Sequence, residues 1–374
     1  MSDDDDTGRA EHLANLDRLH EAPRPQQPSA ERAGIVHAGG FHGNLPGSFW
    51  LSAAWSPDGS KLAYGGRTQP GSGVLQVWDG ESGHHELVSM RHLTHGVAGM
   101  VVSLAWAPDS KHLATLESHH KSGRLTLHIR SQTDHRRAID LPGDLAGVSQ
   151  VAWSADGTLL ALSGPGCPCT VLLDASDGSR RRVLDGVRGP VAWEPEGQLI
   201  AGVDGTTVVL CDQATGQRAR VLEGQRQVPT AVAWARHGRY LAVADGEEIR
   251  VWDAQAGAMR WTLPWMTDQG DRGPDGSVTA IEWLDGGGYL LEFRRQGGAS
   301  RDEEDISLST VILWDIETGK CQFGKLFHET LRTSRRRPIA GVALAPDHRR
   351  LALALDTVPP VIWRITGDLP HLRP

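Results

Sequence analysis

The chain has 374 residues, a net charge of −8 and a moderate apolar content of 39%, enough for one large domain with a sizeable buried core. No run approaches the ~18 apolar residues of a membrane span, and the acidic start MSDDDD is the opposite of a secretory leader, so a cytoplasmic location is expected. The negative balance gives no global attraction to nucleic acid or anionic lipid.

Residues 1–32 stand apart from the rest in composition. The DDDD run and the segment PRPQQPSAER are of the kind that stays disordered. Between them, residues 8–21 place Leu13, Leu16 and Leu19 at i, i+3, i+6, with Thr7 able to cap the start and Pro23 just past the end. This predicts one short amphipathic helix. Alone it would be marginal in water, so it either folds onto its own domain or docks in a partner's groove.

A lone strand follows at Ala33–Phe41, and then a pattern begins to repeat. Its fullest copy, residues 228–263, holds four short β-type runs separated by polar turns, which reads as an antiparallel meander. The first run of each copy ends at Trp55, Trp106, Trp153, Trp193, Trp234 and Trp283, with Leu344 in that place in a seventh copy. The turns after them read SPDGS, APDSK, SADGT, EPEGQ, ARHGR, LDGGG and APDHR, in which Pro presets φ and Gly supplies a positive φ. The third runs end in VWDGESG, HIRSQTD, LLDASDG, LCDQATG, VWDAQAG, LWDIETG and IWRITGD. Two independent series in seven registers account for ten of the thirteen Trp in a chain poor in other aromatics.

On these residues the chain resembles the WD-repeat family. Trp78-Asp79, Trp252-Asp253 and Trp314-Asp315 carry the dipeptide, Leu173-Asp174 and Cys211-Asp212 keep the Asp, and Ile129-Arg130 and Trp363-Arg364 stand where it is lost. No regular Gly-His series precedes the first runs, and the second runs are apolar, so the family's buried polar network is not reproduced. The resemblance implies an all-β fold over residues 33–374: a seven-bladed propeller of four-stranded antiparallel blades. The last copy supplies only three strands, and Gly34–His37 is expected to close the ring as its fourth, removing an open edge. At about 49 residues per blade the repeat exceeds the usual ~40–45, and the excess falls in loops on one rim, the top. The largest insertion runs from Arg294 to Ser309 in blade six.

No residue set points to catalysis or to a cofactor. The His residues (among them His119, His120 and His328) form no converging set, H-E-x-x-H fails at His85-Glu86 and His328-Glu329, and there is no GxSxG elbow or P-loop. Cys167 and Cys169, in CPC, lack zinc-knuckle spacing, and the four Cys fit no disulfide framework, so reduced thiols and no metal are expected. The candidate partner surface is therefore the top rim. It carries the basic residues Arg294, Arg295, Arg301, Arg332, Arg335, Arg336 and Arg337, balanced by Asp302–Asp305, and the apolar loop residues Trp265, Met266 and Phe41. The reading is a non-catalytic scaffold or adaptor for a protein or peptide, a subunit or sensor beside a separately encoded effector, from a bacterial source on its Ala/Arg/Gly-rich composition. Alternatives are a propeller hydrolase or lyase with its site at the central channel, and nucleic-acid or phosphopeptide binding through the arginines.

Overall fold

The recurring turn after each first strand shows why the repeats fold alike. In blade three the Ser154 hydroxyl donates to Asp156 Oδ1 (2.6 Å) and accepts the Leu159 N–H (2.9 Å), while Asp156 also accepts the Thr158 N–H (3.0 Å). Blade one repeats this with Ser56, Asp58, Ser60 and Lys61. Short side chains thus satisfy the turn's backbone groups and fix the hairpin. In blades two and seven no Gly is available, and Ser110 and His348 take the positive φ themselves, at 58° and 55°.

The computed structural model describes residues 34–40, 48–68, 73–80, 99–119, 122–131, 136–246, 248–263, 276–284, 287–296, 308–327, 339–355 and 361–366. Within the unit Ala33–Pro374 these form seven antiparallel sheets. Their first strands are Ser48–Trp55, Gly99–Trp106, Gln150–Trp153, Arg188–Trp193, Ala231–Trp234, Gly276–Leu284 and Ile339–Leu344. Six sheets have four strands, and blade one shows three among the described residues. Gly34–Gly40 pairs with Val361–Thr366, Gly34 against Thr366 and Ile35 against Ile365, so the closing strand is where the sequence placed it. The expected helix with Leu13, Leu16 and Leu19 lies outside the described residues.

Seven apolar clusters hold the blades together, each shared by two neighbours, and the cluster of Trp55 and Trp78 with Ala343 and Ala352 joins blade seven to blade one. The ring is closed. At five joints the first-strand Trp of one blade donates its indole N–H to a carbonyl of the blade before: Trp106 to Ala54, Trp153 to Ala105, Trp193 to Ala152, Trp234 to Ala192 and Trp283 to Ala233, at 2.8–3.2 Å. Each bond contributes about 1 kcal/mol, beyond the burial of the ring. Beneath these indoles lie cross-strand alanine pairs, Ala54–Ala63, Ala105–Ala114, Ala152–Ala161, Ala192–Ala201 and Ala233–Ala242. Only a small side chain leaves room for a ring packed flat on the neighbouring sheet.

The two joints of blade seven depart from this rule. Blade seven carries Leu344 in the Trp place, and the pair below it in blade six is Glu282–Leu291 instead of two alanines. A smaller residue above is matched by larger ones below. Where blade one meets blade seven, the alanine pair Ala343–Ala352 is kept, but among the described residues the buried Trp55 indole N–H has no hydrogen-bond partner. There Arg350 lies over the Trp55 ring at 4.6 Å and donates to the Gly80 and Gly59 carbonyls at 2.6 and 3.2 Å. An arginine clamp takes over from the indole bond at the closing joint.

The strand register corrects one alignment. Leu62 faces Trp78 and Leu241 faces Trp252, but in blade two Leu113 faces Arg130. Arg130-Ser131, not Ile129-Arg130, therefore occupies the dipeptide's place. A shift of one residue moves a side chain to the other face of the sheet, so the guanidinium takes the position of the buried Trp.

Candidate partner-binding surface

A four-stranded meander puts the second-to-third-strand loops and the blade-to-blade connections on one rim, and the other turns on the opposite rim. The long top-rim loops expected to hold the partner site are largely outside the description. This applies to Arg301, Arg332, Arg335, Arg336, Arg337, Trp265, Met266 and Phe41.

Arg294 and Arg295 are not loop residues. Both belong to the strand Tyr289–Gln296, whose partner is Leu308–Asp315. The Arg294 side chain is buried (2% exposed), donating to Glu292 Oε1 from Nη2 at 2.6 Å and from Nε at 2.8 Å. The Trp314 indole donates to the other carboxylate oxygen at 2.8 Å. Burial raises the Glu292 carboxyl above its usual range, and Arg294 and Trp314 oppose the rise. Arg294 is thus consumed inside blade six and is not offered to a partner. Its long strand, continued past the usual blade length, reads in sequence like the start of an insertion.

Other buried charges are consumed in the same way. Glu117 takes His128 at 3.3 Å, Thr115 at 3.2 Å and Arg130 in a short ion pair. Burial works to raise its carboxyl, but the bonds and charges of His128 and Arg130 hold it below the usual range. In blade five, Arg250 is buried between Asp245 and Glu248. A buried charge with its partner in place is structural.

Concavities open to solvent occur on both rims among the described residues. One, of about 1060 Å³, lies on the rim opposite the top, between blades two and three, with Trp153 as a wall and Asp109, His112, Asp156 and Asp174 along it. These polar groups are engaged locally: Asp109 with His112 at 2.7 Å, Asp156 with its own turn, Asp174 with Arg181 at 2.6 Å and with Ser176. The Ser176 and Arg181 bonds hold the Asp174 carboxyl far below the usual range. Among the described residues no group of three or more His, Cys, Asp or Glu is placed to hold a metal ion.

Another, of about 450 Å³, lies on the top rim across blades three, four and five. Its walls are small and apolar: Gly164-Pro165, Gly189-Pro190 and Val228-Pro229, one pair from each of three successive blades or connections. Gln150 fixes its floor, donating to the Val191 carbonyl at 3.0 Å and accepting the Val191 N–H at 2.9 Å. Arg188 stands at its edge, exposed. The sequence reading passed over this site because it is built from the shortest loops. Its trace in the sequence is an X-Pro pair in each of three successive repeats, in the second-to-third-strand loop of blade three, the first strand of blade four and the connection into blade five.

Comparison with known proteins agrees with this architecture. Residues 216–253 match the family model described as WD domain, G-beta repeat. They span the last strand of blade four and the first three strands of blade five. No curated protein matches the chain in sequence. A chain in a crystal structure titled Mitotic Checkpoint Complex is similar in fold, with a TM-score of 0.63 at 18% identity, over 93% of this chain and 97% of that one. The chain folds as a seven-bladed β-propeller, and its stretch 216–253 matches the WD-repeat model.

Proposed function

We propose that the protein is a non-catalytic interaction scaffold that binds a protein partner on its top rim, as a subunit or sensor beside a separately encoded effector in the cytoplasm. The observation that carries this reading is the division of labour in the ring. The buried charges Glu117, Arg130, Asp245, Arg250, Glu292 and Arg294 are spent on pairs within their blades, while the top rim of a closed, stitched scaffold holds an open apolar pocket with an exposed cation at its lip. Rigid scaffolds that present loops on one face are suited to recognition, and the fold by itself does not name the partner. That the fold neighbour sits in a multiprotein complex is consistent with it.

The test is affinity purification of the full chain from its native source, with proteins quantified against a variant carrying substitutions on the top rim (Arg188→Glu, Val228→Asp) and one on the opposite rim (Asp109→Lys, Asp156→Lys). The scaffold reading expects one stoichiometric partner that survives the second variant. No stoichiometric protein in any eluate contradicts it.

A further inference from the structure

The top-rim pocket has a chemistry that narrows the partner, and the inference rests on the scaffold reading above. Its floor and walls are fixed. Gln150 ties blade three to blade four in both directions, and Ser163 Oγ donates to the same glutamine oxygen at 3.2 Å. The backbones of Gly164 and Gly189 touch so closely that a Cβ on Gly189 would lie 2.9 Å from the Gly164 nitrogen. Thr230 donates its hydroxyl to the Val278 carbonyl at 3.0 Å, tying the third wall to blade six. A pocket held this way loses little freedom on binding.

Its one charge is Arg188. Of the exposed arginines elsewhere on these blades, several have carboxylates, among them Arg180 with Asp144 at 2.9 Å, Arg181 with Asp174 at 2.6 Å, Arg218 with Asp204 at 2.7 Å and Arg239 with Asp253 at 2.9 Å, while Arg220 donates to the Gln255 carbonyl and Arg260 lies over the Trp261 ring. Among the described residues Arg188 has no such partner, and no carboxylate lines the pocket. Beside it Val228 is 56% exposed, one of three large apolar side chains so exposed in the described structure. A lone guanidinium next to Pro165, Pro190, Val228 and Pro229 is a fork for a carboxylate set in an apolar surround.

We propose that this pocket binds an acidic side chain in an extended segment of a protein partner, with the segment's neighbouring apolar residues seated on the proline and valine walls. The carboxylate supplies the charge that Arg188 lacks. The apolar walls weaken competition from water and favour a peptide over a bare anion.

The test uses the full chain and fluorescein-labelled nonapeptides with a central glutamate flanked by leucine and proline, beside the same peptides with glutamine or lysine at the centre. Fluorescence polarisation should show the glutamate peptide binding at least tenfold tighter than the glutamine one. Arg188→Gln should remove that preference, Arg188→Lys should keep part of it, and Arg188→Glu should turn it toward the lysine peptide. Val228→Ser should weaken the glutamate and glutamine peptides alike. Arg188 is exposed, so melting curves of its variants should match wild type. Equal binding of glutamate and glutamine peptides, no binding of either, or loss of the preference in none of the Arg188 variants would overturn the proposal. So would Arg188-dependent binding of oligouridylate tighter than that of the glutamate peptide, which would assign the pocket to phosphate. If Arg188→Glu still recovers the same stoichiometric partner as wild type, the pocket assignment fails while the scaffold reading stands. If wild type recovers none, the scaffold reading itself has failed.

Discussion

At the scale of the residue, the ring depends on where each indole goes. Trp252 is 6% exposed and packs with Leu241, Trp234 and the blade-four residues Val208 and Leu210. Trp252→Ala should cost about 3–5 kcal/mol in chemical denaturation, because a cavity opens between two blades that cannot collapse toward each other. Glu282 is different in kind. Burial pushes its carboxyl from 4.5 up to about 7, with no charged neighbour contributing. The folded state therefore holds a proton that the unfolded chain releases, and stability is full below pH 4.5 and declines as pH rises through about 7. Compared with wild type, Glu282→Gln should remove about 2 kcal/mol of that decline, read as the difference between unfolding free energies at pH 5 and pH 8. A difference that does not change with pH would mean that the carboxyl titrates in the fold as it does in the unfolded chain. The repeat positions of both residues were legible in the sequence, since the A-W and W-D series demand small and large partners at fixed places. The identity of Arg130 as the residue in the Trp place was not. HIRSQTD aligns equally well in two registers, and only the pairing with Leu113 decides between them.

At the scale of the element, blade seven is the joint that breaks the rule on both sides. Leu344 and the Glu282–Leu291 pair form a matched substitution for Trp over two alanines. Restoring the rule with Leu344→Trp alone should destabilise by overpacking, and Glu282→Ala with Leu291→Ala should destabilise by a void. The triple variant should recover at least 1 kcal/mol relative to the sum of the two, a coupling readable in a thermodynamic cycle. Additive effects would show that the two sides of this joint do not touch. The closing strand makes a second prediction. Removing residues 1–30 should leave Tm nearly unchanged, whereas removing residues 1–38 takes Gly34, Ile35, Val36 and His37 away from the last strand and should lower Tm by several degrees. Equal melting of both truncations would mean that the ladder adds nothing to the ring. This closure could be read from the sequence because the last repeat was one strand short. The extent of the blade-six strands could not, because charged Arg294 and Glu292 look like loop residues until they are seen to neutralise each other in the interior.

At the scale of the whole molecule, the fold is a closed series of nearly identical joints, and function has to come from what differs between blades. The long loops drew attention in the sequence because insertions are conspicuous. The pocket of blades three to five was not conspicuous, since Gly, Pro and Val from separate repeats become a site only when the ring brings them together. The central claim is that a rigid propeller offers its top rim to a protein. It is tested most directly by cross-linking mass spectrometry on the complex purified through the full chain. The account predicts partner cross-links and protection from hydrogen exchange concentrated at the top-rim connections around Arg188 and Val228. Cross-links confined to the opposite rim, around Asp109 and Asp156, would contradict it.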